Sequence, residues 1–367
     1  MLTAAAFLPA NAFAAAGALI SAKPMEGAPD GSAAYRILYT STDENGAEVM
    51  VSGVVIIPTA APIPPGGRRI VAWAHPTTGV VEKCAPSLAH VFFDSVQGLK
   101  ELLDQGYIVT ATDYPGLGTP EVHPYLVGAS EGHAVLDSVR AARRLPGAEA
   151  SLDYAVWGHS QGGHAALFSG LLAKSYAPEL HLAGIAVAAP ATELATLMQD
   201  DQGTGGGNNI TAMTLWSWSR VYDASLDPVV LPEARPVIDK LADLCIERWF
   251  DMLTRRGPTK ELEKGFLSVS DLSQVEPWKR LLRENTPGPL PADIPVFVVQ
   301  GSKDGLVRPQ VTAAYAQSLC QRGSAVKFKM YDGVTHAFIA RDAAHNAVEW
   351  MAKRFANEAP PSDCGKF

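Results

Sequence analysis

The chain has 367 residues, of which 47% are hydrophobic and 19% charged. That composition supplies a large core and excludes a disordered chain; the length fits two to three ordinary domains or one elaborated α/β domain. A formal net charge of −8 excludes a global basic footprint for nucleic acid. No uninterrupted apolar run of about 20 residues follows the N-terminal stretch, which excludes stable membrane insertion there.

Residues 1–22 are Ala-rich and precede the first charge at Lys23. Ala12-Phe13-Ala14 resembles a signal-peptidase site, although the basic start of a signal is missing. The stretch reads as a signal-peptide remnant or tail, and the protein as secreted or periplasmic. Export suits the cysteines Cys84, Cys245, Cys320 and Cys364. Four cysteines allow three pairings, with Cys84–Cys245 the first expectation; the lack of C-x-x-C argues against zinc or thioredoxin-type chemistry.

Tyr35–Thr40 and Glu48–Ile57 read as strands around the hairpin signal Asn45-Gly46. A Pro-rich loop at 58–67 follows. Strands are then expected at Arg69–Ala74, Tyr107–Thr112, Tyr154–Gly158, Leu182–Ala189, Ile294–Gln300 and Val326–Tyr331. Helices are expected at Ser87–Asp104, Gly128–Leu145, Gln161–Lys174, Pro309–Cys320 and Ala340–Phe355. This alternation predicts an α/β fold with a mostly parallel, doubly wound sheet and helices on both faces. Residues 23–190 and 292–367 form its core.

The rhythm breaks over 191–291. This segment opens with a Gly-rich loop at Gly203–Asn209 and carries Trp216, Trp218, Trp249 and Trp278. A structureless loop of that length is uncommon, so a helical lid is expected over the carboxyl ends of the strands it joins. Trp216 and Trp218 are the candidate substrate-binding residues, against the alternative that the tryptophans only hold the insertion together.

Gly158-His159-Ser160-Gln161-Gly162 matches G-x-S-x-G. Its setting between the strand-like Ala155-Val156-Trp157 and the helix-like Ala165–Phe168 is that of a nucleophile elbow. The glycines serve a turn too tight for side chains. A serine needs a base and an orienter, which follow it here in the order acid, then histidine. Asp304, after the strand ending at Gln300, is the candidate acid, with Asp332 its rival. His336, after the last strand, is the candidate base. His345 has helical surroundings; His75, His90, His123 and His133 precede the serine; His159 and His164 flank it and serve local packing. The oxyanion donors are expected to be the N–H groups of Gln161 and Thr77, with Thr78 second in a loop where Pro76 cannot donate. Asp113 reads as a turn-stabilising carboxylate.

These features resemble the α/β-hydrolase superfamily from about Tyr35 onward, and within it the secretory lipase family. The closer resemblance rests on Cys84-Ala85-Pro86-Ser87, on Asp113-Tyr114-Pro115-Gly116-Leu117-Gly118, on Ser130–Asp137, and on the large insertion before the acid. It implies an α/β-hydrolase fold and serine ester hydrolysis under a helical lid. Fungal members carry Asp at the first oxyanion position, where this chain has Thr77 or Thr78; their cysteine spacing is also not reproduced.

Phosphate-loop, zinc-helix and dinucleotide fingerprints are absent. The leading expectation is therefore a cofactor-free Ser-His-Asp esterase or lipase acting on a small-molecule or lipid ester through a covalent acyl-enzyme. A peptidase or amidase on the same scaffold, and a non-catalytic hydrolase-fold binding protein, are the alternatives.

Overall fold

The computed structural model describes residues 15–200, 202–246 and 251–366. The Ala12-Phe13-Ala14 motif and Trp249 lie outside the described residues. The frame is a nine-stranded sheet of order β1-β2-β3-β5-β4-β6-β7-β8-β9. Its strands are β1 (Leu19–Met25), β2 (Ser32–Thr42), β3 (Glu48–Pro58), β4 (Arg68–Ala74), β5 (Ile108–Thr112), β6 (Ala150–His159), β7 (His181–Ala188), β8 (Val296–Gly301) and β9 (Val326–Tyr331). The first three pair antiparallel, and β3 joins β5 antiparallel. From β5 to β9 every pairing is parallel.

The β2–β3 hairpin forms where Asn45-Gly46 predicted it. Gly46 takes a positive φ of 83°, and the Asp43 carboxylate accepts the Asn45 and Ala47 N–H groups at 2.8 and 2.7 Å. In the middle strands, side chains alternate between two cores. Val71, Trp73, Ala155 and Trp157 enter one; Ile70, Ala72, Tyr154 and Val156 enter the other. With both faces covered by helices, these strands read as continuous apolar runs.

Three sequence expectations change. Residues 19–22, assigned to the leader or tail, belong to β1. This is an edge strand with one flank open to solvent, so backbone pairing to β2, not a side-chain pattern, defines it. The helix expected over Ser87–Asp104 is split into a 3₁₀ turn at Pro86–Leu88 and short helices at Phe92–Ser95 and Leu99–Asp104. Gly98 breaks it with a left-handed φ of 81°. The Gly-rich stretch 203–209 is largely not a loop. Helix Gly205–Val221 starts there, its first turn capped by the Thr204 hydroxyl, which accepts the Gly207 N–H at 3.1 Å.

Segment 191–291 contributes helices Leu194–Asp200, Gly205–Val221, Arg235–Ala242, Asp251–Leu262 and Trp278–Glu284. The Cys84–Cys245 disulfide ties it to the segment after β4. Beside this bridge, the Ile246 N–H donates to the Thr78 carbonyl at 2.7 Å. A second disulfide, Cys320–Cys364, fastens the C-terminal tail to helix Pro309–Gln321. Among the described residues, no helix is long and apolar enough to cross a membrane.

Candidate active site

Ser160 sits between the end of β6 and helix Gln161–Tyr176 with φ 57° and ψ −116°. An L-residue there is strained, and the surroundings hold it. Its N–H donates to Ala188 O of β7 at 2.9 Å, and its carbonyl accepts the His164 and Ala191 N–H groups at 3.0 and 3.3 Å. The glycine requirement is steric. A Cβ on Gly158 would lie 2.1 Å from Gly162 O, and one on Gly162 would lie 1.9 Å from Ala74 O. Strand, turn and helix pass this closely only without those side chains.

The sheet brings Ser160, His336 and Asp304 together. His336, in the turn after β9, places Nε2 2.8 Å from Ser160 Oγ and Nδ1 2.8 Å from Asp304 Oδ2. A carboxylate can only accept, which makes Nδ1–H the donor to Asp304 and leaves Nε2 to accept the serine proton. Asp304 accepts four donors. Gln300 Nε2 adds a bond to Oδ2 at 3.0 Å, and the Leu306 and Val307 N–H groups reach Oδ1 at 2.9 and 2.8 Å. Burial pushes this carboxyl upward, but the His336 contact and the two amides outweigh it and hold it below the ordinary range. The rival Asp332 accepts instead from Ser302 Oγ at 2.9 Å.

Sequence reasoning missed Gln300, which is fully buried in β8 and is itself held by Thr312 Oγ1 at 2.7 Å. It reads as one more strand residue. His159 packs against His336 with ring centroids 4.9 Å apart. Burial, then the neighbouring His336, pushes its imidazole down to about 3. The ring is therefore neutral and adds no positive charge beside His336.

Gln161 begins the helix, so its N–H has no intrahelical acceptor and stands next to Ser160. Its side chain enters a buried polar network. Nε2 donates to Glu131 Oε1 at 2.7 Å and meets His123 Nε2 at 3.0 Å. Glu131 Oε2 faces His164 Nδ1 at 2.8 Å, and His164 Nε2 donates to Asn285 O at 2.7 Å. Burial pushes His123 down to about 4, which suits its acceptor role toward Gln161. Glu131 lies in a resemblance motif, but only the contact between helices Gly128–Arg144 and Gln161–Tyr176 joins it to Gln161. Thr77, in the loop after β4, bonds Tyr125 Oη through Oγ1 at 2.9 Å. Asp113 accepts Ser52 Oγ, Ser87 Oγ and the Ser87 N–H at 2.6, 2.5 and 2.8 Å. It ties the turn after β5 to β3 and to the 3₁₀ turn at Pro86–Leu88, as a turn carboxylate would.

Two cavities meet at Ser160. The larger, about 780 Å³, is lined among others by Thr77, His159, His336 and Arg341. The smaller, about 30 Å³, is lined by Gln161, Tyr125, Leu197 and Met198 among others. Trp216 and Trp218, expected to bind substrate, line neither cavity. Trp218 is fully buried and stacks on Trp278 at 6.3 Å, and its indole N–H donates to Tyr125 O at 2.8 Å. Trp216 is half-buried beneath the Arg220 guanidinium, 4.1 Å from its ring centre. Trp218 thus packs within the insertion and ties it to the Tyr125 segment, while Trp216 packs against Arg220. Their helix turns its Gly207, Ile210 and Thr211 face to the cavity; Trp218 lies on that same face about 10 Å farther along the helix, and Trp216 lies on the opposite side.

The chain is similar to several known proteins. A secreted triacylglycerol lipase of Malassezia globosa is 26% identical over 317 residues, covering 82% of this chain and 66% of its own length. Lipase A of Arthroderma benhamiae is 24% identical over 343 residues, covering 89% and 71%. Among solved structures, Candida antarctica lipase A in its closed state superposes with a TM-score of 0.78 at 19% identity, covering 96% of this chain and 85% of that one. The rice cell wall degrading esterase LipA of Xanthomonas oryzae superposes with a TM-score of 0.74 at 20% identity, covering 93% and 98%. These similarities establish the α/β-hydrolase fold. The secretory lipase family model matches residues 94–363, and the chain belongs to that family of carboxylic-ester hydrolases.

Proposed function

We propose that the protein is a secreted carboxylic-ester hydrolase in which Ser160, His336 and Asp304 act as nucleophile, base and orienter. The observation that carries this reading is the hydrogen-bonded run from Ser160 Oγ through His336 to Asp304, starting on a strained elbow. Ser160 Oγ attacks the ester carbonyl carbon while His336 Nε2 takes its proton. The carbonyl electrons move onto oxygen, which is held by the N–H groups of Gln161 and Thr77. As the C–O bond breaks, His336 returns the proton to the leaving alcohol. Water then repeats the sequence on the acyl-enzyme and releases the acid. Asp304 stays anionic throughout and stabilises the His336 cation. The sequence requires no metal or organic cofactor.

Helices of 191–291 wall the smaller cavity through Leu194, Leu197, Met198 and Ile210. This supports a lid role for the insertion. The two disulfides and the relative named as secreted support export to an oxidising compartment. The test is intact-protein labelling with a fluorophosphonate, followed by paired assays of short esters and matched amides. One adduct on the Ser160 peptide with ester turnover supports the reading; amide turnover exceeding ester turnover, or labelling elsewhere, overturns it.

A further inference from the structure

We infer that this site is built for esters of short acids, about two to four acyl carbons, carried on a bulky alcohol, and that Ile210 and Leu306 form the partition enforcing that choice. The inference rests on the triad reading above and deepens it.

The argument begins with the proton. The leaving oxygen must receive it from His336 Nε2, so the alcohol portion lies on the His336 side of Ser160. Of the two cavities at the serine, only the larger is lined by His336. Its wall also carries Gln97, Thr78, His159 and Arg341, which offer polar contacts to a large alcohol. The acyl substituent is left with the smaller cavity, walled by Tyr125, Leu126, Leu194, Leu197, Met198 and Val307.

The sizes decide the substrate class. The acyl cavity measures about 30 Å³ and the alcohol cavity about 780 Å³. A water needs about 10–15 Å³ on this scale, and a cavity of about 150 Å³ holds benzene. The acyl side thus has room for a few carbons, while the alcohol side has room for an aryl or glycosyl group.

Three residues line both cavities: Ser160, Ile210 and Leu306. Ile210 comes from helix Gly205–Val221 of the insertion. Leu306 comes from the Asp304 loop, where its N–H donates to the acid. Lining both spaces from two different elements, Ile210 and Leu306 are the side chains able to separate them. Truncating either one joins the acyl cavity to the large one.

The experiment uses the full chain and p-nitrophenyl acetate, butanoate, octanoate and hexadecanoate, then acetates of ethyl, phenyl and glucosyl alcohols. From butanoate to octanoate, kcat/KM should fall by ~30-fold or more, while glucosyl acetate, despite its bulk, should match or exceed ethyl acetate. In Ile210→Ala the octanoate-to-acetate ratio should rise by about tenfold or more; a purely structural role would lower all esters alike. Leu306→Ala, which keeps the backbone bond to Asp304, gives the same readout if the first variant does not fold. Octanoate or hexadecanoate at or above butanoate in the parent overturns the inference, as does an unmoved ratio in a folded variant. Such a result with Ser160 labelled by fluorophosphonate leaves the triad standing; loss of both labelling and ester turnover overturns the triad reading as well.

Discussion

His336 Nε2 lies 2.8 Å from Ser160 Oγ although 176 residues separate the two in sequence. The contact follows from the parallel block. Strands β6, β7, β8 and β9 are consecutive neighbours running the same way, so their carboxyl-terminal loops open on one edge. The elbow leaves β6 there, Asp304 follows β8 and His336 follows β9.

Removing the proposed nucleophile should abolish turnover without unfolding the chain. Ser160→Ala should lower kcat by roughly 10⁴-fold or more with an unchanged thermal melt, since the elbow is held by backbone bonds from Ala188, His164 and Ala191. A fluorophosphonate adduct on the Ser160 peptide of the parent, absent from the variant, checks the assignment.

The elbow glycines should behave unlike a helix glycine. Gly162→Ala puts a Cβ 1.9 Å from Ala74 O, a backbone atom in a central strand that cannot move aside. The expected cost is ~3 kcal/mol or more, with loss of activity. A Cβ on Gly257, in helix Asp251–Leu262, would meet nothing within 4 Å beyond its chain neighbours; the helix-propensity gain is offset by Pro258, which crowds a Cβ on the helical residue before it, so Gly257→Ala should change stability by less than about 1 kcal/mol. Urea unfolding of both variants measures the contrast.

Acid should destabilise the fold before the carboxylates titrate. His159 and His123 are held down to about 3 and about 4 by burial, against ~6.5 in the unfolded chain. Their stabilising contribution is complete above pH ~6.5 and is lost as pH falls towards those folded values, because the unfolded chain binds the protons first. Each histidine gives a slope of up to ~1.4 kcal/mol per pH unit in that window. Unfolding free energies from pH 7 to pH 4 should show it, and His123→Gln should shallow the slope; a flat profile contradicts the assignment.

The tryptophans of the insertion should matter for stability, not selectivity. Trp218→Ala removes a fully buried indole stacked on Trp278 and should cost about 3–5 kcal/mol. Trp216→Ala, at a half-buried site, should cost less. In folded protein, both should keep the parental acyl-length profile. A shifted profile at undiminished stability would return them to the substrate site.

The Cys84–Cys245 bridge closes a loop spanning a sequence separation of 161 residues. The double variant Cys84→Ser/Cys245→Ser should lose about 2–5 kcal/mol. The bridge also fixes the insertion beside the loop that carries Thr77, so kcat should fall more than fluorophosphonate labelling. Equal Tm and equal kcat in the variant would show the bridge to be dispensable.

Local chemistry made much of the sheet edge that carries Ser160 legible from the residues alone. Gly158-x-Ser160-x-Gly162 could be read because the turn tolerates no Cβ at either glycine. Asp304 and His336 could be read because each follows an apolar run long enough to be a buried strand. The short-range pattern was weakest where pairing or contact defines the structure. Strand β1 has an exposed flank and shows no alternation strong enough to mark it. Gly98 splits a segment whose apolar spacing reads as one helix. Gln300, Glu131 and His164 look like ordinary strand and helix residues until packing brings Gln300 to Asp304 and joins Glu131 and His164 to Gln161. Trp216 and Trp218 could be assigned to the insertion from sequence, but which turn of their helix stands over the serine depends on how that helix is placed along the sheet edge. That placement is set by contacts among residues far apart in the chain. It leaves Ile210 at the cavities and Trp218, two turns farther on, in the core, where the indole is buried against Trp278 and its one donor is satisfied by the Tyr125 carbonyl.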